Sequence, residues 1–349
     1  MAVITIIGSG MMGSALAFPA RENGHEVRLV GTPLDRDIIK SCLRKNRHPK
    51  LKRNFPEGVR FAQIESMKEA IDGADLVIGG VSSFGVDWFG EEVLPAIPEE
   101  TPVLAVTKGL LDCPDGRLLT YPAVWSARLS AKGMKRNINA IGGPCNSYEL
   151  VAHDHTSVAF CGPDMETLRR IRSWLATDYY HISLTTDVTG LESAVALENG
   201  YALGAALTIG INQRIYGIGS EFHFNSQAAV FEQAVREMDK LLTLQGASTT
   251  DNMAVGLGDL YVTIYGGRTR LIGILLGRGL PVEAAKDELK GVTLEALVVV
   301  GRAARAVKVL AQKGKADTAD FPLLFHIDQI LNEGKAVDIP WEAFTFEKA

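Results

Sequence analysis

The chain has 349 residues, 46% of them hydrophobic and 22% charged, which is more than one ordinary core organises and predicts two globular domains. A formal net charge of −5 with no long basic run argues against a nucleic-acid partner. The four cysteines, Cys42, Cys113, Cys145 and Cys161, are scattered without a C-x-x-C pair, so they read as thiols of a reducing compartment and not as a metal site.

The start, Met-Ala-Val-Ile-Thr-Ile-Ile, lacks a basic leader region, so a cytoplasmic chain without a signal peptide is expected. Val3-Ile4-Thr5-Ile6-Ile7 is apolar and β-branched, which suits a strand buried on both faces. It runs into Gly8-Ser9-Gly10-Met11-Met12-Gly13 and then an Ala-rich, helix-prone segment. In this G-x-G-x-x-G, Gly8 permits the tight turn and Gly10 removes the side chain that would block a pyrophosphate. Gly13 lets the helix pack closely on the strand. The helix N-terminus offers N–H groups and a partial positive charge to the phosphates. Gly-rich turns are common; the strand before and the helix after give this one its weight. The implied cofactor is NAD(P), with Gly8, Gly10, Met11, Met12 and Gly13 as candidate contacts.

Val27 to Val30 predicts a second strand. The place after it, where an acidic residue would read the ribose hydroxyls, holds Gly31-Thr32, with Asp35 and Arg36 slightly later. A missing carboxylate removes repulsion against a 2′-phosphate, so NADP is admitted beside NAD, with Thr32 and Arg36 as candidate contacts. Lys45, Arg47, His48, Lys50, Lys52 and Arg53 follow, and such a cluster usually forms a solvated surface. Residues 67–71 suit a helix and 75–81 a strand. Ser82-Ser83-Phe84-Gly85 then stands at a strand's C-terminal end, where open α/β sheets bind ligands, which makes Ser82 and Phe84 cofactor candidates. Residues 102–107 form another strand, followed by Lys108-Gly109, and Asn139 to Pro144 repeats the strand-then-glycine pattern. Residues 156–160 and 180–184 look like closing strands. The alternation predicts a doubly wound sheet over residues 1–186.

From Val188 onward helical periodicity takes over, in segments 190–211, 226–244, 270–276, 282–289, 293–312 and 321–331. These predict an all-helical second domain over 187–349. The most apolar stretch, Ala194 to Ile211, carries Glu198 and Asn199 and reads as a buried core helix, not a membrane span. The apolar helices also offer surface for a homodimer.

Three segments hold more than packing requires. Glu198 shares a helical face with Ala194, Val195, Tyr201, Ala202 and Ala205, so its carboxylate is either paired in the core or aimed into a cleft. Desolvation there would move it toward acid–base work. Gly256 to Arg270 places Asp259 and Thr263 one helical turn apart. Arg268 and Arg270 follow a Gly pair, as an anion clamp does and as solvated arginines at a helix junction also do. Lys108, alone after a strand, suits a phosphate, a carbonyl oxygen or water.

Together these segments resemble the NAD(P)-dependent glycerol-3-phosphate dehydrogenase family over nearly the whole chain. In order they are the Gly8–Gly13 turn, Ser82-Ser83-Phe84-Gly85, Thr107-Lys108-Gly109, Gly143-Pro144, Glu198-Asn199, Asn225, Gly258-Asp259-Leu260 with Thr263, and Arg268-Thr269-Arg270. The resemblance implies a Rossmann-type domain joined to a helical domain of the 6-phosphogluconate dehydrogenase C-terminal type. It implies hydride transfer between nicotinamide and a small ketone or secondary alcohol; the family's pair is dihydroxyacetone phosphate and sn-glycerol 3-phosphate. By position Lys108 is similar to the family's lysine near the reacting carbonyl, and Asp259 and Thr263 to its substrate-contacting pair. Arg268 is similar to its phosphate-binding arginine, placed against cofactor and substrate, and Glu295 to its cofactor-contacting acidic or amide residue. Asn199 and Thr269 count with the substrate-binding residues.

Two positions depart from the family pattern. Glu198 stands where the family has a catalytic lysine, and Thr269 interrupts what is Arg-Asn-Arg in the family. A lysine donates to a developing alkoxide, whereas a glutamate does so only while protonated. The expectation is an NAD(P)-dependent dehydrogenase with an altered, anionic substrate: a polyol phosphate, a sugar acid or an amino-bearing compound. Glu198 is then general acid or base, assisted by Lys108, with Asp259 orienting the substrate. An opine-type or 2-hydroxyacid dehydrogenase and a non-catalytic NAD(P) sensor are the alternatives; the first predicts turnover of a keto acid with an amine, the second binding without turnover.

Overall fold

In the computed structural model, which describes residues 1–345 apart from 52, 221, 222 and 293, the first strand organises the sheet. β1 (Val3–Ile7) is buried from Ile4 to Ile7, because strands flank both of its edges and helices lie over the sheet. The chain continues through α1 (Met11–Glu22), β2 (Glu26–Val30), α2 (Arg36–Lys45), β3 (Arg60–Ala62), α3 (Met67–Ile71), β4 (Leu76–Gly79), α4 (Val86–Trp88) and β5 (Val103–Ala105). A hairpin of β6 (Leu110–Asp112) and β7 (Leu118–Thr120) intervenes. Then come α5 (Tyr121–Ala131), β8 (Ile138–Gly142), α6 (Ser147–Leu150), β9 (Thr156–Cys161), α7 (Met165–Leu175) and β10 (Tyr180–Thr185).

Across the sheet the order is β3-β2-β1-β4-β5-β8-β9-β10. It is parallel from β3 to β8, while β9 runs antiparallel to β8 and β10 parallel to β9. Chain order reverses direction between β1 and β4, whose register pairs Ile4 with Leu76 and Ile7 with Gly79. That switch point opens a crevice at the strands' C-terminal ends, and the glycine turn and the Ser82–Gly85 loop lie there. The doubly wound sheet is therefore as the alternation implies.

The chain divides into two compact units, residues 1–108 with 120–188, and residues 109–119 with 189–349. The second contains α8 (Val188–Tyr216), α9 (Phe224–Leu244), α10 (Thr250–Gly266), α11 (Thr269–Gly277), α12 (Val282–Glu288), α13 (Glu295–Gln312) and α14 (Pro322–Glu333). The helical segments expected from periodicity are present; Thr293, at the start of one of them, lies outside the described residues. The unit is not purely helical, because the β6–β7 hairpin belongs to it. Asp112 receives Arg305 Nε at 2.7 Å, Leu110 O receives Arg302 at 2.6 Å, and Gln245 accepts from Leu118 N at 2.9 Å.

α8 is the axis of this unit. It is long and apolar enough to cross a membrane, but 89% of its most apolar stretch is buried by the protein's own helices. Small residues let those helices approach. A Cβ on Gly210 would lie 2.2 Å from the Ile274 carbonyl oxygen of α11, and one on Gly256 of α10 would meet Ala194 at 3.0 Å. Gly256, Gly258 and Gly266 weaken α10 as an isolated helix, and at Gly256 the close approach of Ala194 offsets the poor propensity. Glu237 of α9, fully buried, accepts from Leu323 N, Leu324 N, Gln233 and the Tyr201 hydroxyl at 2.8–3.1 Å, and so caps α14. Burial outweighs those four donors and pushes its carboxyl up to about 7.

Candidate cofactor and substrate sites

In the first unit the glycine turn is fixed by backbone contact. Gly8 has φ +109°, and a Cβ there would sit 2.7 Å from Gly80 C and O. A Cβ on Gly13 would lie 2.5 Å from Gly8 O and 2.9 Å from Gly80 Cα, so α1 rests directly on the residue after β4. Gly10 differs: its Cβ would meet only Gly80 O, at 3.5 Å. The protein's own packing leaves that place open, as a cradle for a pyrophosphate does. Gly10 is also the N-cap of α1 and brings no capping side chain, and no acidic residue occupies the first turn. The buried Ser9 and Ser14 hydroxyls have no hydrogen-bond partner among the described residues. A dinucleotide fits this turn.

Both backbone groups of Ser9 are held from later in the chain. Asp35 Oδ2 accepts from Ser9 N at 3.1 Å and from Thr32 N and Oγ1, each at 2.9 Å. His48 Nε2 lies 3.0 Å from Ser9 O, while its Nδ1 accepts from Lys50 N and Leu51 N. This assigns the tautomer, with Nε2–H donating to Ser9. Burial lowers the imidazole pKa and outweighs the opposing bond to Ser9, so the ring is neutral. His48 thus leaves the solvated cluster in which composition places it; Lys45, Arg47, Lys50 and Arg53 are exposed, and Lys52 lies outside the described residues. No spacing rule announces Asp35 or His48 as clamps, since the contacts join residues 26 and 39 positions apart.

Around the turn, Met11 and Met12 are half-buried at the start of α1, and Met12 Sδ lies 3.9 Å from Cys145 Sγ. Thr32 is half-buried, and exposed Arg36 opens α2 with Glu65 as its ion-pair partner. Ser82 is exposed, and Phe84, in the short turn Ser83–Gly85 that follows β4, is 80% exposed and has no core role. Lys108 is half-buried and closes the unit's first stretch of chain.

In the second unit α8, α10 and α11 carry the other candidates. Glu198 is 0% exposed, and its Oε1 accepts from Asn199 Nδ2 at 2.6 Å. Asn199 Oδ1 in turn receives the Thr269 hydroxyl at 3.4 Å, so α8 and the first residue of α11 are tied at this corner. Asp259 and Thr263 are buried on one face of α10. Gly267 N donates to Thr263 O at 3.0 Å, which turns the chain sharply into Arg268 and Thr269. Arg268 is exposed; Arg270 is half-buried, and its Nε is buried without a hydrogen-bond partner among the described residues. An anion would satisfy a buried guanidinium donor in that state. Glu295 is half-buried at the first position of α13, and Asn225 is exposed at the start of α9. No group of three or more metal-ligating side chains occurs among the described residues.

Comparison with known proteins gives matching results for both units. Residues 3–168 match the family model of the NAD-dependent glycerol-3-phosphate dehydrogenase N-terminus, and residues 187–342 that of its C-terminus. The NADP(+)-dependent glycerol-3-phosphate dehydrogenase of Archaeoglobus fulgidus is 33% identical over 99% of this chain and 100% of that protein. The glycerol-3-phosphate dehydrogenase [NAD(P)+] of Koribacter versatilis is 26% identical over 96% and 94%. Among solved structures, the glycerol-3-phosphate dehydrogenase of Plasmodium falciparum superposes with a TM-score of 0.82 at 18% identity, covering 100% of this chain and 96% of that one.

Proposed function

The chain belongs to the NAD-dependent glycerol-3-phosphate dehydrogenase family, and we propose that it is a member with an altered substrate. It is an NAD(P)-dependent oxidoreductase acting on CH–OH groups. Its substrate is a small anionic polyol phosphate or sugar acid, interconverted between secondary alcohol and ketone. The nicotinamide, when bound, supplies or accepts the hydride.

One observation carries the altered substrate: Glu198 is fully buried and tied to Asn199, at a position where the family places a lysine. An ammonium there attracts an anion; a carboxyl group attracts a hydroxyl or a cation and repels negative charge while ionised. Glu198 therefore moves the proton: protonated, it donates to the carbonyl oxygen during reduction, and ionised, it accepts the hydroxyl proton during oxidation. Within the second unit, Asp259 with Thr263 orients the neighbouring hydroxyls. Arg268 and Arg270 take the anionic end, to which the Arg270 Nε offers a buried donor. Asp35 spends one oxygen on the glycine turn, and Arg36 stands next to it, so the chain accepts NADP as well as NAD.

The test is NAD(P)H oxidation with a panel of keto-phosphates and keto-acids, dihydroxyacetone phosphate included, beside a Glu198→Gln variant. We expect turnover on at least one member and a loss of about 10²–10⁴-fold in kcat for the variant. Wild-type turnover in Glu198→Gln removes Glu198 from the mechanism.

A further inference from the structure

We propose that Thr269 is a positioning residue, whose hydroxyl sets the Asn199 amide so that this amide orients the Glu198 carboxyl group. The inference rests on the reading of Glu198 as the acid–base group. The two places where this chain departs from its family then form one hydrogen-bonded unit and not two separate changes.

The geometry is directional. Thr269 Oγ1 donates to Asn199 Oδ1 at 3.4 Å, and Asn199 Nδ2 donates to Glu198 Oε1 at 2.6 Å. An amide offers an acceptor on one side and donors on the other, so its orientation is settled by what stands at both ends. Glu198 demands the NH₂ side. Oδ1 is thereby left facing residue 269, where a donor is needed, and a hydroxyl on a buried threonine provides one. A lysine at 198 has only donors and would draw Oδ1 instead, which reverses the demand at 269.

The distances also rank the two bonds. The 2.6 Å contact is short and ties the amide to Glu198; the 3.4 Å contact is long and adds a second point of attachment, so removing it leaves the fold intact and loosens the amide about its bond to Glu198. The backbone of Thr269 stays where it is, because Gly267 N is bonded to Thr263 O and Leu271 N to Arg268 O. A side-chain change at 269 therefore reads the hydroxyl alone. Proton transfer depends on where the carboxyl oxygens point, so loss of steering appears in kcat, not in the binding of substrate.

The experiment compares Thr269→Val, nearly isosteric without the hydroxyl, with Thr269→Ser, which keeps it, and with Glu198→Gln. All are assayed with NADPH and the most active panel member, across pH. We expect Thr269→Val to lose about tenfold in kcat with little change in KM and to displace the pH limb that Glu198→Gln abolishes. Thr269→Ser recovers most of that loss, and the Glu198→Gln/Thr269→Val double variant is no worse than Glu198→Gln alone. Wild-type kcat in Thr269→Val, equal impairment of the valine and serine variants, or a change confined to KM each overturns the proposal. If Glu198→Gln keeps wild-type turnover, or the wild-type chain turns over no panel member, the reading beneath it fails as well. Loss in Glu198→Gln with none in Thr269→Val refutes the positioning role alone.

Discussion

The glycine turn of the first unit and the α8–α11 corner of the second are built by opposite means. The turn is shaped by main chain against main chain: Gly8, Gly13 and Gly80 touch where no side chain has room, and Ser9 is clamped by its backbone N–H and C=O. The corner is shaped by side chains, a carboxyl group, an amide and a hydroxyl in series. A site made of backbone tolerates almost any residue at its variable positions and almost none at its glycines. A site made of side chains keeps its helices while one substitution changes what it does. On the proposed reading, binding of a common cofactor belongs to the first kind, and choice of substrate to the second.

The contrast breaks most readily at Gly13. Gly13→Ala places a methyl carbon against two backbone atoms that have nowhere to go, with an expected loss of about 3 kcal/mol in stability and at least about tenfold in NAD(P)H affinity. Urea unfolding and a fluorescence titration measure the two; normal cofactor binding in this variant ends the distinction.

Glu237 sharpens it from the helical side. Its carboxyl is raised to about 7 in the folded chain, against an ordinary value of 4.5. The native state thus holds a proton that the unfolded state releases, so stability is full below pH 4.5 and falls as pH rises toward 7. The whole effect is about 3 kcal/mol. Glu237→Gln should flatten that slope in urea midpoints measured across the window; an unchanged slope assigns it to another group.

His48 gives the smallest effect and the opposite sign. Its pKa is lowered by burial, so stability declines as pH falls below the ordinary 6.5, where the unfolded chain takes up a proton that the native ring refuses. His48→Ala leaves Ser9 O and two backbone N–H groups without their partner and should cost about 1–2 kcal/mol. NAD(P)H binding weakens with it, and kcat at saturating cofactor stays near wild type. A fall in kcat instead would show that the clamp reaches beyond the turn.

Sequence reasoning reads these regions unequally for the same physical reason. The strands, the glycine turn and most of the long helices follow from local rules of period and backbone freedom, and Gly8 and Gly13, which the G-x-G-x-x-G spacing marks, are among the glycines with a close backbone contact. Glu198 and Thr269 stand out as departures, but nothing in spacing says that Asn199 joins them, because that bond spans 70 positions. Asp35 and His48 are hidden likewise, one among turn residues and the other inside a basic cluster. α10 is obscured by its own glycines, and the worth of Gly256 appears only against Ala194.

The β6–β7 hairpin has a consequence for how the molecule comes to exist. It leaves the ribosome long before the helix that anchors it, since Asp112 and Arg305 are 193 residues apart. Until α13 is made, the strap has only the end of α9, through Gln245, to lie on, and closing so long a loop is entropically late. The helical unit is thus completed by a piece of chain synthesised before its own helices. A gene cut after β10 would deliver a sheet with a dangling strap and a helical bundle in which Arg302 and Arg305 lack Leu110 O and Asp112.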